Sequence, residues 1–431
     1  MKLLVTARSV LSERDFRLLL SSQFVAQAAD GFAQAAIFEV LVLDPLGAEA
    51  PGRILLLAAL TLLPYSLVAP FMGVFVDRWS RRALLEWTGI GRGILLIAFP
   101  LWAVIVPGRI ELYASVLILL AVGRLYLTTK GAALPVVVHE KFLLRANALS
   151  GGGGMISALL GGVVGVIAAG VVGTNTAVVV AGTMYLLSAF TARRISEAMV
   201  HPRPPARGLL SAAAGVARDL ISGLTEIGRR PPARLPLIAI FLLRTAGMIV
   251  VVAAVLIIKR EFPGADERFG RLATSAGALG AAGVGAFVGA ATAPFLGRRL
   301  SKPHIILLGY AVSGIGVALL GGVSDITALF ALTFIGGYGG FITKVAVDAQ
   351  LQEALPDDYR GRAFSAYDIL YNLATVAAAA VIFITAESSL RVVLAATGVL
   401  TLLLGLAVRL AMRRARMLLP VPAERRAADL P

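Results

Sequence analysis

The chain has 431 residues, of which 58% are hydrophobic and 15% are charged. Soluble globular proteins average about 45–50% apolar and about 25% charged residues, so this composition excludes a soluble domain, and it also excludes intrinsic disorder. The formal net charge of +15 would suggest a nucleic-acid partner if the cations were clustered. The absence of cysteine excludes disulfides, thiolate metal sites and thiol catalysis.

Twelve apolar segments follow one another along the chain, each close to the roughly 20 residues that a membrane-crossing helix requires. We number them spans 1 to 12, and they cover residues 16–43, 54–76, 84–106, 112–136, 147–172, 174–192, 235–258, 272–296, 303–323, 326–347, 363–385 and 390–411. The predicted fold class is an all-α membrane protein with twelve transmembrane helices. Polar residues 12–15 interrupt the apolar residues at the start, which predicts no cleavable signal peptide.

The distribution of the cations predicts the orientation. With both termini cytoplasmic, 28 of the 40 lysines and arginines fall in inside segments, seven in outside loops and five within spans. Cytoplasmic loops carry such an excess in membrane proteins. The basic charge therefore reflects topology, and we expect no nucleic-acid partner. The 34 arginines against six lysines are typical of a GC-rich bacterial genome, so the predicted location is a bacterial cytoplasmic (plasma) membrane.

The longest polar stretch divides the spans into two sets of six. We predict an N-terminal bundle over residues 1–193, a cytoplasmic linker over 194–234, a C-terminal bundle over 235–412 and a cytoplasmic tail over 413–431. Apolar residues recur at helical spacing within the linker. They are Leu209, Ala213, Val216, Leu220, Leu224 and Ile227. This pattern predicts an amphipathic helix, which either lies along the membrane interface or connects the bundles as a solvated helix.

The two halves of the chain repeat each other at two loops. An offset of 217 residues relates Arg81 to Arg298, in the loops after spans 2 and 8, and the same offset relates Arg145 to Arg362, after spans 4 and 10. Parallel repeats about an axis along the membrane normal are a transporter architecture. The sequence therefore predicts two duplicated six-helix bundles.

Several ionisable residues lie within the predicted spans or at their ends. A charge at a helix centre costs about 2.5–3.5 kcal/mol on insertion scales and marks a functional candidate. The deep set is Asp30, Glu39, Arg124, Lys130, Arg244, Lys344 and Asp348. Its net charge of +1 favours an anionic or zwitterionic amphiphile as substrate. The i,i+4 spacing of Lys344 and Asp348 predicts an ion pair that serves as a gate or a structural bridge.

Asp30 is the carboxylate that lies nearest the middle of a predicted span, which makes it the candidate for proton coupling. A carboxylate in a dehydrated site takes up a proton when it loses a cationic partner. A partner that moves away during transport would therefore make Asp30 a proton carrier. The alternative is a static Asp30–Arg124 bridge between spans 1 and 4. Arg92 is placed near the inner edge of span 3, as a snorkelling residue or a latch partner.

The loop after span 2 carries a family resemblance. Gly73-x3-Asp77-Arg78-x2-Arg81-Arg82 resembles the G-x-x-x-D-R-x-G-R-R signature of the major facilitator superfamily, with Ser80 in place of the second glycine. The resemblance implies two six-helix bundles that rock about a midplane site, with spans 1, 4, 7 and 10 lining the cavity. It also implies a cytoplasmic latch. The predicted latch residues are Gly73, Asp77, Arg78, Arg81, Arg82, Asp348, Arg362 and Asp368.

Span 5 resembles the antiporter motif of the same family. The matching glycines are Gly152, Gly161, Gly165 and Gly170. Val166 and Ala169 replace a proline and a glycine of that motif. Small residues also let helices approach closely, so helix packing is the alternative interpretation. The segment around Asp30 is similar to the bacterial exporter branch of the family, which includes macrolide-efflux, siderophore-export and lysophospholipid-transport proteins.

Enzymatic chemistry has no supporting set of residues in the sequence. There is no Walker A loop, His139-Glu140 lacks the second histidine of a zinc-protease motif, and there is no G-x-S-x-G turn. We therefore expect no enzyme activity, no cofactor and no metal.

The predicted function is proton-coupled export, by antiport, of an amphiphilic small molecule such as a macrolide-like drug, a siderophore or a lipid. The expected partners are that substrate, protons and the lipid bilayer, and the chain is expected to function as a monomer and to contribute to multidrug resistance. Two alternatives stay open. One is a lysophospholipid flippase or uncoupled facilitator on the same fold, and the other is a non-transporting membrane sensor or scaffold.

Overall fold

The computed structural model describes residues 12–43, 76, 79–105, 110–139, 142–196, 209–262, 275–355, 357–385 and 388–418. Across these ranges the chain is helical and contains no β-strand. The helices are α1 (Arg14–Leu43), α2 (Arg81–Ile97), α3 (Phe99–Ile105), α4 (Ile110–Val137), α5 (Leu143–Val172), α6 (Thr174–Arg193), α7 (Leu209–Arg229), α8 (Pro231–Glu261), α9 (Ser275–Gly297), α10 (Lys302–Leu320), α11 (Ile326–Ala354), α12 (Asp357–Ile384) and α13 (Leu390–Arg414).

Eleven of the predicted spans coincide with these helices, whereas span 2 lies outside the described residues apart from residue 76. Among the described helices, nine are long and apolar enough to cross a membrane. Helix α1 is 30 residues long but carries Gln23, Gln27 and Asp30 along its middle, and α2 has only 17 residues. The all-helical class is confirmed. Twelve spans and cytoplasmic termini stay predictions.

Span 3, predicted as one helix, is divided into α2 and α3 at Ala98. Pro100 lies two residues further on. Proline has no backbone N–H and its ring clashes with the carbonyl four residues earlier, so it ends or kinks a helix. Helical hydrogen bonding resumes directly after Ala98, as the 3.0 Å hydrogen bond from Trp102 N to Ala98 O shows.

The chain divides into two compact units. Unit 1 comprises Met1–Asp219 and Ile258–Gly280, and unit 2 comprises Leu220–Ile257 and Ala281–Pro431. The predicted domain boundaries remain a sequence-based proposal.

In unit 1, α1 packs closely against α5. A Cβ on Gly161 of α5 would overlap the carbonyl group of Ala28 on α1, and a Cβ on Gly165 would lie 2.6 Å from Phe32 O. Gly31 of α1 makes the reciprocal approach to the carbonyl of Ala158. Glycine therefore lets the two backbones touch directly, as small residues do between membrane helices.

Helix α2 begins with a polar cap at the predicted loop signature. Ser80 is the N-cap, and its Oγ accepts from Ala83 N at 3.5 Å. Serine is among the preferred N-cap residues because its hydroxyl satisfies an otherwise unpaired backbone donor. This contact explains why serine fits at the position where the signature has glycine.

In unit 2, α10 packs against α11 and α13. A Cβ on Gly309 of α10 would lie 2.6 Å from Gly339 O of α11, and Gly398 of α13 would clash with the backbone of Ala318. Tyr310 is buried and its hydroxyl donates to Ala239 O at 2.6 Å, which ties α10 to α8. Close backbone contact thus joins α10 to α11 and α13, and a buried hydrogen bond joins α10 to α8.

The amphipathic linker helix predicted from the sequence is present as α7. Ile227 near its end is buried in the core of unit 2, and Leu220 packs against the same core. Ile221 and Leu224 are exposed. The helix therefore uses its last turns to pack on unit 2 and leaves other apolar side chains uncovered.

Candidate functional site

An ion pair lies inside unit 1, between α1 and α2. Arg92 Nη1 donates to Asp30 Oδ1 at 2.9 Å. The arginine side chain is completely buried, whereas 20% of the aspartate side chain is exposed. Burying two charges is favourable only with good geometry and additional hydrogen bonds. The surroundings of this pair therefore decide whether it can persist.

Two tyrosines complete the environment of the pair. Tyr185 Oη donates to Asp30 Oδ1 at 2.6 Å. The Arg92 guanidinium lies over the rings of Tyr185 and Tyr126, at 4.2 and 4.9 Å from their centroids. Arg92 Nε also donates to Thr88 O at 3.3 Å. The buried cation is thus compensated by a carboxylate, two aromatic faces and a carbonyl.

The position of the Tyr185 ring relative to Arg92 is fixed by the packing of α2 on α6. Gly89 and Gly93 of α2 face α6, where a Cβ would lie 2.8 Å from Ala189 Cβ and 2.6 Å from Leu186 Cδ2. This close approach brings Arg92 under Tyr185. Tyr126 is held separately, because its hydroxyl shares a 2.9 Å hydrogen bond with Ser22 Oγ.

This arrangement corrects the sequence interpretation of Arg92. We predicted that Arg92 is a snorkelling residue or a latch partner near the inner edge, and the alternative to a proton-coupling Asp30 was a static bridge from Asp30 to Arg124. The described ion pair of Asp30 is instead formed with Arg92, which has no exposed surface. Arg92 lies eleven residues into α2, about 16 Å along the helix axis, and this depth is roughly half of a bilayer core. The number of residues between the start of the helix and Arg92 was therefore the signal in the sequence that could have identified Arg92 as a deep residue.

A second polar cluster of unit 1 contains Lys130. Its Nζ donates to Ser150 Oγ at 3.0 Å, and that hydroxyl donates to Gln23 Oε1 at 2.7 Å. Gln23 Nε2 in turn reaches Gln27 Oε1 at 2.6 Å. The cluster joins α1, α4 and α5, so Lys130 lies among neutral polar groups.

Two other predicted site residues of unit 1 lie on α4 and α1. Arg124 lies half-buried in α4, and its carbonyl accepts from Thr128 Oγ1 at 3.0 Å. The backbone of Glu39 belongs to α1, but its side chain lies outside the described residues. A substrate role for either residue stays a prediction.

Unit 2 contains a cluster of cations and tyrosines. The predicted Lys344–Asp348 ion pair is confirmed, with Nζ and Oδ2 separated by 2.6 Å. Lys344 Nζ lies 5.5 Å from the ring centroid of Tyr367 and 5.8 Å from that of Tyr371. The guanidinium of Arg244 lies 4.4 Å from the Tyr371 centroid. One tyrosine ring therefore contacts the two cations predicted on spans 7 and 10.

The predicted latch is described only in part. Gly73, Asp77 and Arg78 lie outside the described residues, as does the side chain of Arg362, whose backbone belongs to α12. The remaining residues of the set are placed. Arg81 and Arg82 form the first turn of α2, Asp348 pairs with Lys344, and the carbonyl of Asp368 accepts from Asn372 Nδ2 at 2.7 Å. The latch stays a prediction.

The antiporter-like glycines differ in their surroundings. Gly161 and Gly165 lie against the backbone of α1, so close packing accounts for both. A Cβ on Gly152 would meet no atom within 4 Å, and Gly170 is half-buried in α5. The link between this motif and the direction of transport stays a prediction.

Within the described ranges, no group of three or more histidine, aspartate or glutamate side chains could hold a metal ion. The polar residues that converge inside each unit are cations, carboxylates and tyrosines, joined in unit 1 by the serine and glutamines around Lys130.

The family model and the related sequences that match this chain all point to one family of transporters. The sequence model described as Major Facilitator Superfamily matches residues 19–379 and 269–431. An uncharacterized MFS-type transporter of Mycobacterium tuberculosis is 26% identical over 371 residues, which cover 84% of this chain and 83% of that protein. The uncharacterized MFS-type transporter YfiS of Bacillus subtilis is 23% identical over 379 residues, 85% of each chain.

Solved structures share the fold. A POT family transporter in complex with a thioalcohol-conjugated peptide superposes with a TM-score of 0.74 at 11% identity, over 93% of this chain and 96% of that one. The nucleoside transporter NupG gives a TM-score of 0.66 at 10% identity, over 93% and 98%. Identities this low establish the fold alone.

Proposed function

Since the chain belongs to the Major Facilitator Superfamily and is a membrane transporter of that type, we propose that it is a proton-coupled exporter of an amphiphilic small molecule, working by alternating access. The observation that carries the proposal is the Asp30–Arg92 pair, since a buried carboxylate with partial access is a group that can bind and release a proton. Members of this family are generally not enzymes, and the proposed chemistry is the binding of a substrate and the exchange of a proton.

The geometry of Asp30 supports proton exchange. Both Arg92 Nη1 and Tyr185 Oη donate to the same oxygen, Oδ1, and a fifth of the side chain is exposed. The carboxylate is therefore held in position through one oxygen and is reached by solvent. A proton and a cationic or hydrogen-bond-donating group of the substrate would compete for it. Competition for one carboxylate couples the exit of the substrate to the entry of a proton.

The partner of Asp30 changes the expected coupling step. The sequence interpretation required a partner that moves away when the bundles rock. Asp30, Arg92 and Tyr185 all belong to unit 1, so a rigid-body motion of that unit carries them together. The exchange of a proton and a substrate group at Asp30 then takes place within unit 1 and does not require Arg92 to move away. Within the described residues, Arg92 Nη2 is buried without a hydrogen-bond partner, so Asp30 is the exposed member of the pair at which the exchange would take place.

The charges and rings of the two units support an amphiphilic substrate. Within unit 1 these groups are Asp30 and the Lys130 cluster, and within unit 2, taken by itself, they are Arg244 and Lys344 near the face of Tyr371. Cations on aromatic faces offer a site for an anionic group beside an apolar surface. A zwitterionic amphiphile has the complementary groups.

The proposal is tested in proteoliposomes with an imposed pH gradient and an internal pH dye. The panel is a macrolide, a cationic dye, a catechol siderophore and a lysophospholipid. Asp30→Asn removes the charge but keeps an oxygen that accepts from Arg92 and Tyr185. Glu353→Gln is the matched control, because Glu353 is an exposed carboxylate paired with Lys302.

We expect one compound to trigger proton flux in the wild type and in the control, and no flux in Asp30→Asn, which should still exchange that compound without a gradient. Movement of a compound without proton flux in the wild type would instead favour the facilitator or lysophospholipid flippase. No movement of any lipid or small molecule would favour the sensor or scaffold.

A further inference from the structure

A groove lies on the surface of unit 2, between the first turns of α10 and the last turns of α13. Its volume is about 850 Å³. Leucines of both helices form its walls, among them Leu307 and Leu402, and Arg409 and Arg413 lie at one end together with His304. The groove is formed by spans 9 and 12, outside the set of spans 1, 4, 7 and 10 that is predicted to line the transport cavity.

The lining of the groove includes an anchored tyrosine. Tyr310 lies there, and its hydroxyl is held by Ala239 O at 2.6 Å. Gly405 of α13 lies against this ring, since a Cβ at that position would be 3.0 Å from Tyr310 Cβ. Glycine at residue 405 therefore lets α13 pack directly on the tyrosine ring.

The polar end of the groove is cationic. Arg409 and Arg413 are both exposed and four residues apart, so they project from the same face of α13. Like charges at this spacing destabilise a helix, and an anion between them removes that cost. His304 adds a ring whose Nδ1 shares a 2.7 Å hydrogen bond with Ser301 Oγ. Among the described residues that line the groove, none is acidic.

The rest of the surrounding surface is apolar. Ile315 and Leu319 of α10 are 50% and 70% exposed, and Leu403 and Leu406 of α13 are 59% and 53% exposed. Large exposed aliphatic side chains on a membrane-spanning helix contact lipid chains. A ligand of this groove therefore reaches it from the bilayer and carries an anionic group at one end.

We propose that the groove binds an anionic glycerophospholipid of the surrounding leaflet. Its phosphate is held by Arg409 and Arg413, whose planar guanidinium groups match phosphate oxygens in pairs. One acyl chain lies along Leu402 and Leu406. Basic pockets between transmembrane helices bind acidic lipid headgroups in this way. The proposal is independent of the transported substrate.

The test is lipid binding by native mass spectrometry of the purified full-length protein in detergent. Phosphatidylglycerol and phosphatidylcholine of the same acyl chains are titrated, and inorganic phosphate is a separate arm. The groove variant is Arg409→Gln/Arg413→Gln. The control variant is Arg193→Gln/Arg194→Gln, which removes two exposed arginines at the end of α6, the helix that corresponds to α13 in the predicted repeat.

We expect phosphatidylglycerol to bind the wild type and the control equally, and the groove variant about 30-fold more weakly, from the typical contribution of two arginines near a membrane surface. Phosphatidylcholine should bind weakly to all three. Leu406→Asn should weaken the binding of phosphatidylglycerol but not the binding of inorganic phosphate. An equal loss in both arginine variants, or no loss in the groove variant, would overturn the proposal. Competition by inorganic phosphate with the same affinity as the lipid would replace it with a phosphate site.

Discussion

The pairing of Arg92 with Asp30 predicts a large coupling energy. Removing one partner of a buried ion pair leaves an uncompensated charge and costs about 3–5 kcal/mol. Arg92→Met leaves the Asp30 carboxylate without its cation, and it also removes contacts with the rings of Tyr126 and Tyr185. Asp30→Asn leaves the cation without its carboxylate. In the double variant both charges are gone, so its loss should be about 3 kcal/mol smaller than the sum of the single losses.

A second ion pair provides the control. Arg230 Nε and Glu226 Oε1 are 2.5 Å apart, closer than the 2.9 Å between Arg92 and Asp30, but the Arg230 side chain is 44% exposed. Exposed i,i+4 pairs contribute about 0.3–0.5 kcal/mol. The shorter pair should therefore show about a tenth of the coupling of the longer one, because burial and not distance determines the energy.

The measurement is a double-mutant cycle for each pair. The free energy of unfolding of the purified protein is obtained by titrating a denaturing detergent into mixed micelles, with helicity followed by circular dichroism. The reasoning is refuted if the Arg92–Asp30 coupling is below about 1 kcal/mol, or if it equals that of the Arg230 pair. Either result would mean that water screens the buried pair as it screens a surface pair.

Two further predictions concern packing and the unit 2 cluster. Gly161→Ala should lower the stability of the protein by about 1–3 kcal/mol, because the added Cβ would overlap the α1 backbone, whereas Gly152→Ala, whose Cβ meets open space, should be neutral or stabilising. Size-exclusion chromatography after heating checks both variants, and equal effects would contradict the α1–α5 contact. Tyr371→Leu should lower the free energy of unfolding by about 0.5–2 kcal/mol because it removes the ring under Arg244, whereas Tyr371→Phe should keep that contact. Equal losses of unfolding free energy in the two variants would assign the effect to the hydroxyl.

The helices could be predicted from the sequence because their signals are local. An apolar run of about 20 residues identifies a span wherever its neighbours lie, and the apolar spacing between Leu209 and Ile227 was sufficient for α7. The Lys344–Asp348 pair is local as well, since four residues of a helix bring two side chains together. The division of span 3 had a local cause, Pro100, to which the hydropathy pattern is insensitive.

The site could not be predicted to the same extent because it is tertiary. Asp30 and Arg92 are 62 residues apart, and Tyr185 is 155 residues from Asp30. Arg92 and Arg124 are both within spans of the same bundle, and no local pattern distinguishes which of them faces α1. The packing of α2 on α6 through Gly89 and Gly93 decides it, and this contact depends on side-chain volumes across helices.

The three tryptophans of the chain are Trp79, Trp87 and Trp102, which lie two residues before α2, within α2 and in α3. Each is about half exposed or more, at 51%, 67% and 49%. The tryptophan fluorescence of the unlabelled protein therefore originates from the segment that carries Arg92, because the sequence of unit 2 contains tyrosines but no tryptophan. Emission shifts or quenching by brominated lipid would report on the surroundings of that helix alone. A compound that changes the emission has altered the environment of the helix that holds the Asp30 partner, and a compound that binds only to unit 2 is invisible to this signal.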